Sequence, residues 1–160
     1  MPKATGDSNK DKVRIVTITE PELMGLAHEV REVFGSGSGI ILHHAGFGIG
    51  REMAEGIEKL TNEKKDIYKG FQTVWRNRGW GTASIEESSE SPGEGKVSFI
   101  DSPLPKEDPI HETLEMLVRG IFSGFMARAF GTDKISIQKE DCVAKGDRAC
   151  TFSFKIERNE

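Results

Sequence analysis

Between Pro109 and Gly131 the apolar residues fall in columns: Ile110, Leu114, Leu117 with Val118, Ile121 with Phe122, Phe125 with Met126, and Ala129 with Phe130. Recurrence at steps of three and four specifies a helix, the most strongly patterned one in the chain. Pro109 suits its opening and Gly131 its end. Gly120 and Gly124 lie one turn apart inside it, with Ser123 and Ala127 beside them. A mid-helix glycine costs roughly 1 kcal/mol relative to alanine. The return expected for two of them is the close approach of another backbone or of a ligand.

The other segments read as elements able to pack around this helix. The first eleven residues have no apolar periodicity and are expected to form a disordered tail, leaving 12–160 as a single domain. Val13 to Ile18 alternates as a short strand. Thr19 can cap a helix with Pro21 in its first turn and Leu23, Leu26, Ala27, Val30, Val33 and Phe34 on one face. Gly35 to Gly39 reads as a flexible break. Ile40 to His44 follows, and a helical face runs from Phe47 to Leu60. A further helix carries Ile67, Phe71, Val74 and Trp75. Strands are expected around 82–87 and 96–101, joined by a polar loop, and a last hairpin carries Ile135, Ile137, Phe152, Phe154 and Ile156. The order gives an α+β class, with a four-stranded antiparallel sheet packed with several helices.

A net charge of −4 with no basic run argues against nucleic-acid binding. No apolar stretch of membrane-spanning length and no leader pattern is present, so a cytoplasmic location is expected. Gly46-Phe47-Gly48-Ile49-Gly50 opens a helix but lacks the G-x-G-x-x-G spacing of a dinucleotide site. The adjacent His43 and His44 would face opposite sides of a strand and do not suit one ion. His111 and Glu115, one helical turn apart, can offer two ligands to one metal ion. The same spacing describes an exposed helix surface with Arg119 as salt partner, and that reading is preferred on spacing alone.

The two cysteines, Cys142 and Cys150, flank the turn signal Gly146-Asp147. They can be half of a metal site, a disulfide, or two buried small hydrophobes. No serine–histidine–acid arrangement is legible.

Three stretches together resemble the 4-vinyl reductase domain family, also called hydrocarbon-binding domains. They are Ala45-Gly46-Phe47-Gly48-Ile49-Gly50-Arg51, then Gly79-Trp80-Gly81, and then Gly120 to Gly124 continuing to the hairpin Cys142 to Cys150. The resemblance implies the α+β fold shared with vesicle-tethering subunits and phenol-sensing regulator domains. It implies a sensing domain for small aromatic or hydrocarbon ligands rather than an enzyme. Phe47, Phe71, Trp75, Trp80, Phe122 and Phe125 would line its apolar pocket. Phenol-sensing relatives hold zinc through the two hairpin cysteines, a glutamate three residues before the first, and a helix cysteine. Here those last two positions are Lys139 and Glu115, so the implied zinc ligands are Cys142, Cys150 and Glu115, with Glu140 or His111. The resemblance also implies a homodimer, with the Leu23–Phe34 helix as candidate interface; with no output domain legible in the sequence, a separate output protein is expected. Two other readings stand beside it: a reductase or accessory factor for tetrapyrrole vinyl groups, and a dimeric scaffold.

Overall fold

The computed structural model describes residues 13–61 and 63–157. The expected tail at 1–11 lies outside them. Four α-helices and four strands follow in the order α1 (Glu20–Phe34), α2 (Ser38–Glu58), α3 (Lys64–Asn77), β1 (Thr82–Glu87), β2 (Glu94–Ile100), α4 (Ile110–Phe130), β3 (Ile135–Asp141) and β4 (Cys150–Ile156). The strands form one antiparallel sheet in the order β1-β2-β4-β3. The α+β class and the four-stranded sheet are those expected.

Helix α1 starts as its sequence directs. The Thr19 hydroxyl accepts from the Glu22 backbone N–H, and the Glu22 carboxylate accepts from the Thr19 N–H, closing a capping box. Two local expectations need correction. Val13 to Ile18 is not a strand: it has no regular structure, and Val13, Ile15 and Val16 are exposed. Alternation alone makes no strand without a partner edge, and neither β1 nor β3 pairs with it. The glycine-rich break is a single 3₁₀ turn over Gly35–Gly37, closed by the Ser38 hydroxyl donating to the Gly35 carbonyl at 2.7 Å. The stretch from Ile40 is therefore the start of α2, and His43 and His44 are consecutive helical residues with rings edge-on at 6.2 Å.

Helix α4 is the centre of the molecule and is buried along most of its length. One side lies on the sheet, where Phe122 meets Phe154 and Phe99. Another lies on α2, and this seam explains the glycines. A Cβ on Gly120 would overlap the His43 carbonyl, and one on Gly124 the Phe47 carbonyl. In return, a Cβ on Gly46 would overlap the Leu117 carbonyl, and one on Gly50 the Ile121 carbonyl. The pairings advance in the same direction along both helices, so α2 and α4 run parallel with backbones in direct contact. Only residues without side chains permit that separation. Helix α3 covers β1, with the Gln72 amide donating to the Ala83 carbonyl at 3.0 Å.

Candidate functional site

The first turns of α4 and the β3–β4 hairpin meet at four buried side chains. His111 and Glu115 share a face of α4, and Cys142 and Cys150 stand at the two ends of the hairpin turn. The hairpin is shaped by its own residues. The Cys142 N–H donates to the Asp147 carboxylate at 2.9 Å, the Cys142 carbonyl accepts from Lys145 and Asp147, and Gly146 takes the left-handed conformation at φ 95°. Cys150 sits opposite Phe99 on the inward face of β4. Both cysteines are free thiols.

The donor atoms of His111, Glu115, Cys142 and Cys150 all lie within 4.8 Å of one another. His111 Nε2 is 2.8 Å from Glu115 Oε2, 3.3 Å from Cys142 Sγ and 3.7 Å from Cys150 Sγ, and Cys142 Sγ is 4.0 Å from Glu115 Oε2. On the other side of the ring Nδ1 is 2.7 Å from the Pro105 carbonyl. A carbonyl only accepts, so Nδ1 carries the hydrogen and Nε2 is directed at the cluster. The surface reading of His111 and Glu115 is thereby corrected: both are buried, and Arg119 reaches the Ile137 carbonyl and lies over the Phe152 ring instead.

The electrostatics follow from this closeness. His111 is pushed up to about 11 by its hydrogen bonds to Cys150 and then Glu115, against burial. Burial pushes Glu115 up, but His111 and Lys139 outweigh it and hold the carboxyl below its ordinary value. Burial likewise raises Cys142, yet Lys139, the Ala144 backbone N–H and His111 together bring it below an ordinary thiol. Lys139 Nζ is 2.9 Å from Glu115 Oε1, so each carboxylate oxygen faces its own cation. Lys139 is raised by Glu115 and Cys142, against burial.

The donor set fits a divalent ion such as zinc. Tetrahedral zinc with Zn–N and Zn–O near 2.0–2.1 Å and Zn–S near 2.3 Å has ligand–ligand edges of about 3.3–3.8 Å. The His111–cysteine separations already lie in that range, and the shorter His111–Glu115 contact is a hydrogen bond that an ion would replace. Outer partners are in place too: the Pro105 carbonyl fixes the imidazole, and the Asp147 carboxylate fixes the Cys142 backbone. Glu140 is not part of the cluster. It points to the other face of β3 and pairs with Lys96 at 2.8 Å, because strand alternation sends Lys139 and Glu140 to opposite sides.

A second cluster occupies the middle of the molecule. Phe71 and Trp75 of α3 stack at 5.4 Å, Phe125 lies 4.7 Å from Phe71, and Phe122 meets Phe71 edge-on at 5.7 Å. Trp80, half-buried, lies 5.0 Å from Trp75. Five of the six aromatic residues singled out from sequence therefore meet ring to ring. Phe47 is half-buried on α2, with its carbonyl against Gly124. Phe99 was missed: its ring lies 5.2 Å from Trp75. Its strand parity with the buried Val97 was the available signal. The Trp75 indole N–H is buried and has no acceptor among the described residues.

No protein-family model matches the chain, and no curated protein matches it. Solved structures do match. The phenol-responsive sensory domain of the transcription activator PoxR with phenol is 17% identical, with a TM-score of 0.70, over 90% of this chain and 77% of that one. A trafficking protein particle complex subunit 3 from Naegleria fowleri, covalently bound to palmitic acid, is 14% identical, with a TM-score of 0.58, over 88% and 98%. A vinyl-4-reductase family protein from Methanocaldococcus jannaschii is 16% identical, with a TM-score of 0.52, over 90% and 98%. The chain has the fold these proteins share, the one its three sequence stretches imply. No helix among the described residues is long and apolar enough to cross a membrane.

Proposed function

We propose that this chain is a small-molecule sensing domain that takes a small aromatic or hydrocarbon ligand among the rings of α3, α4 and the sheet. One observation carries the reading: the Trp75 N–H is fully buried among aromatic rings and has no acceptor among the described residues. A buried donor left without a partner costs on the order of 1–3 kcal/mol. A ligand with an apolar body and one hydroxyl or carbonyl oxygen would satisfy it. Phe71, Trp80, Phe122 and Phe125 would provide the apolar contact, with Phe47 at the margin, and the rings would part to admit the ligand. His111, Glu115, Cys142 and Cys150 would hold a zinc ion in a structural role, tying the hairpin to α4. Four protein ligands leave no open position for catalysis. The fold it shares with a phenol-bound sensory domain supports this reading.

The test is a titration with phenols and their oxygen-free counterparts, followed by tryptophan fluorescence and thermal shift. Phenols are expected to bind, and Trp75→Phe to weaken them about tenfold, the equivalent of one buried hydrogen bond. It should leave oxygen-free aromatics nearly unchanged. Equal loss for both classes would remove Trp75 from the polar role, and no binding by either would remove the sensing role.

Self-association is the second reading, favoured by exposed apolar residues at the end of α1 and the start of α2. Val33, Phe34 and Ile40 are 70%, 55% and 65% exposed there. Large apolar side chains left this exposed close together in sequence are candidates for an interface. Light scattering is expected to give a homodimer, and Val33→Glu with Ile40→Glu to give a folded monomer. A wild-type monomer at tens of micromolar would overturn it.

A further inference from the structure

Lys139 stands at the rim of the four-residue cluster, and its chemistry opposes that of the ligands. Its stem is partly exposed while its ammonium reaches inward to Glu115 Oε1 at 2.9 Å. Glu115 Oε2 faces His111 and the thiols. One carboxylate thus joins a lysine on one side to the ligand set on the other.

Consider the charges with and without an ion. Without one, the Lys139 ammonium sits on one oxygen of the buried Glu115 carboxylate and His111 Nε2 lies against the other, so the carboxylate is satisfied by side chains of the protein itself. A metal ion requires His111 to give up the Nε2 proton and both thiols to be thiolates. Lys139 is not one of the four ligands, and its ammonium stays on the far oxygen of Glu115. A fixed positive charge then remains one carboxylate away from a divalent cation and draws donor density from the shared ligand. In a buried setting such a repulsion is only weakly screened.

We propose that Lys139 makes this centre exchangeable: its ammonium stands in for the metal ion when the site is empty and lowers the affinity of the site for a divalent ion when it fills. The proposal rests on the reading of His111, Glu115, Cys142 and Cys150 as metal ligands. It adds that the domain responds to the level of available zinc, where a cluster without the lysine would hold the ion permanently.

Wild-type and Lys139→Gln protein, stripped of metal under reducing conditions, would be titrated with zinc against a competing chromophoric chelator. The melting temperature of each metal-free form would be recorded alongside. Lys139→Gln is expected to bind zinc at least tenfold more tightly and, metal-free, to melt lower than wild type, since Glu115 loses one of its two cations. Lys139→Arg keeps the charge and is expected to retain the weaker binding. Equal or weaker zinc affinity in Lys139→Gln overturns the role of Lys139 and leaves the four-ligand centre standing. Undiminished zinc binding in Cys142→Ser/Cys150→Ser overturns the centre itself. Zinc binding by neither wild type nor Lys139→Gln overturns both, whereas binding by Lys139→Gln alone is the strongest support.

Discussion

Replacing Gly50 with alanine is expected to destabilise the fold by about 4 kcal/mol or more. The added methyl would overlap the Ile121 carbonyl and lie 2.7 Å from the Phe125 nitrogen and 2.8 Å from the Ile121 carbonyl carbon. These are backbone atoms of a buried helix, so no side chain can turn aside. The two helices would have to separate, and the reciprocal contacts at Gly46, Gly120 and Gly124 would open with them. A domain of this size typically has only about 5–15 kcal/mol to lose. Thermal melting followed by circular dichroism should show a fall on the order of 10 °C or more, or an insoluble product. Gly48 provides the control within the same helix. Among the described residues nothing outside the adjoining backbone of α2 lies within 4 Å of a Cβ there, so Gly48→Ala should stabilise by up to about 1 kcal/mol through helix propensity. The same change two residues apart thus has opposite signs. If both substitutions proved mild, the close parallel crossing of α2 and α4 would be wrong.

The second large effect is at His111. Substitution by alanine is expected to cost metal-free protein about 3–5 kcal/mol, the usual consequence of deleting one member of a buried ion pair. The Glu115 carboxylate, almost fully buried, would keep only Lys139 as charged partner, with the Cys142 thiol at 4.0 Å. The Pro105 carbonyl would lose its donor, and a void would open beneath the hairpin. Urea unfolding of stripped protein measures this directly. The double substitution His111→Leu/Glu115→Met should recover much of the loss while abolishing zinc binding, because apolar groups of similar volume leave no uncompensated charge. A cost below about 1 kcal/mol for His111→Ala would mean that the cluster is not closed in solution.

Elements whose pattern is satisfied locally were legible in the sequence. The columns of α4, the capping box of α1 and the alternation of β1, β2 and β4 each specify their own structure. The misreadings came where the deciding partner is distant in the chain. Ile40 to His44 is apolar and β-branched at its start, yet it is helical because Gly46 and Gly50 seat the whole segment on α4. Val13 to Ile18 alternates without an edge to join. The burial of His111 and Glu115 depends on a hairpin that begins twenty residues after Glu115, and helical spacing contains no trace of it. Glu140 was favoured over Lys139 for its chemistry, although strand parity decided which of the two faces α4. The resemblance of three separated stretches conveyed the fold better than any single motif did.

Helix α4 carries His111 and Glu115 in its first turns and Phe122 and Phe125 farther along. At 1.5 Å per residue, the imidazole and the Phe122 ring are attached about 16 Å apart on one rod. That rod is fixed to α2 by a seam in which no side chain can yield. Two events on one stiff body share one free-energy cycle. If an ion at the hairpin alters the hold on a guest among the rings, the guest must alter the hold on the ion by the same factor. Zinc affinity measured with and without a bound phenol would then report the coupling from either end.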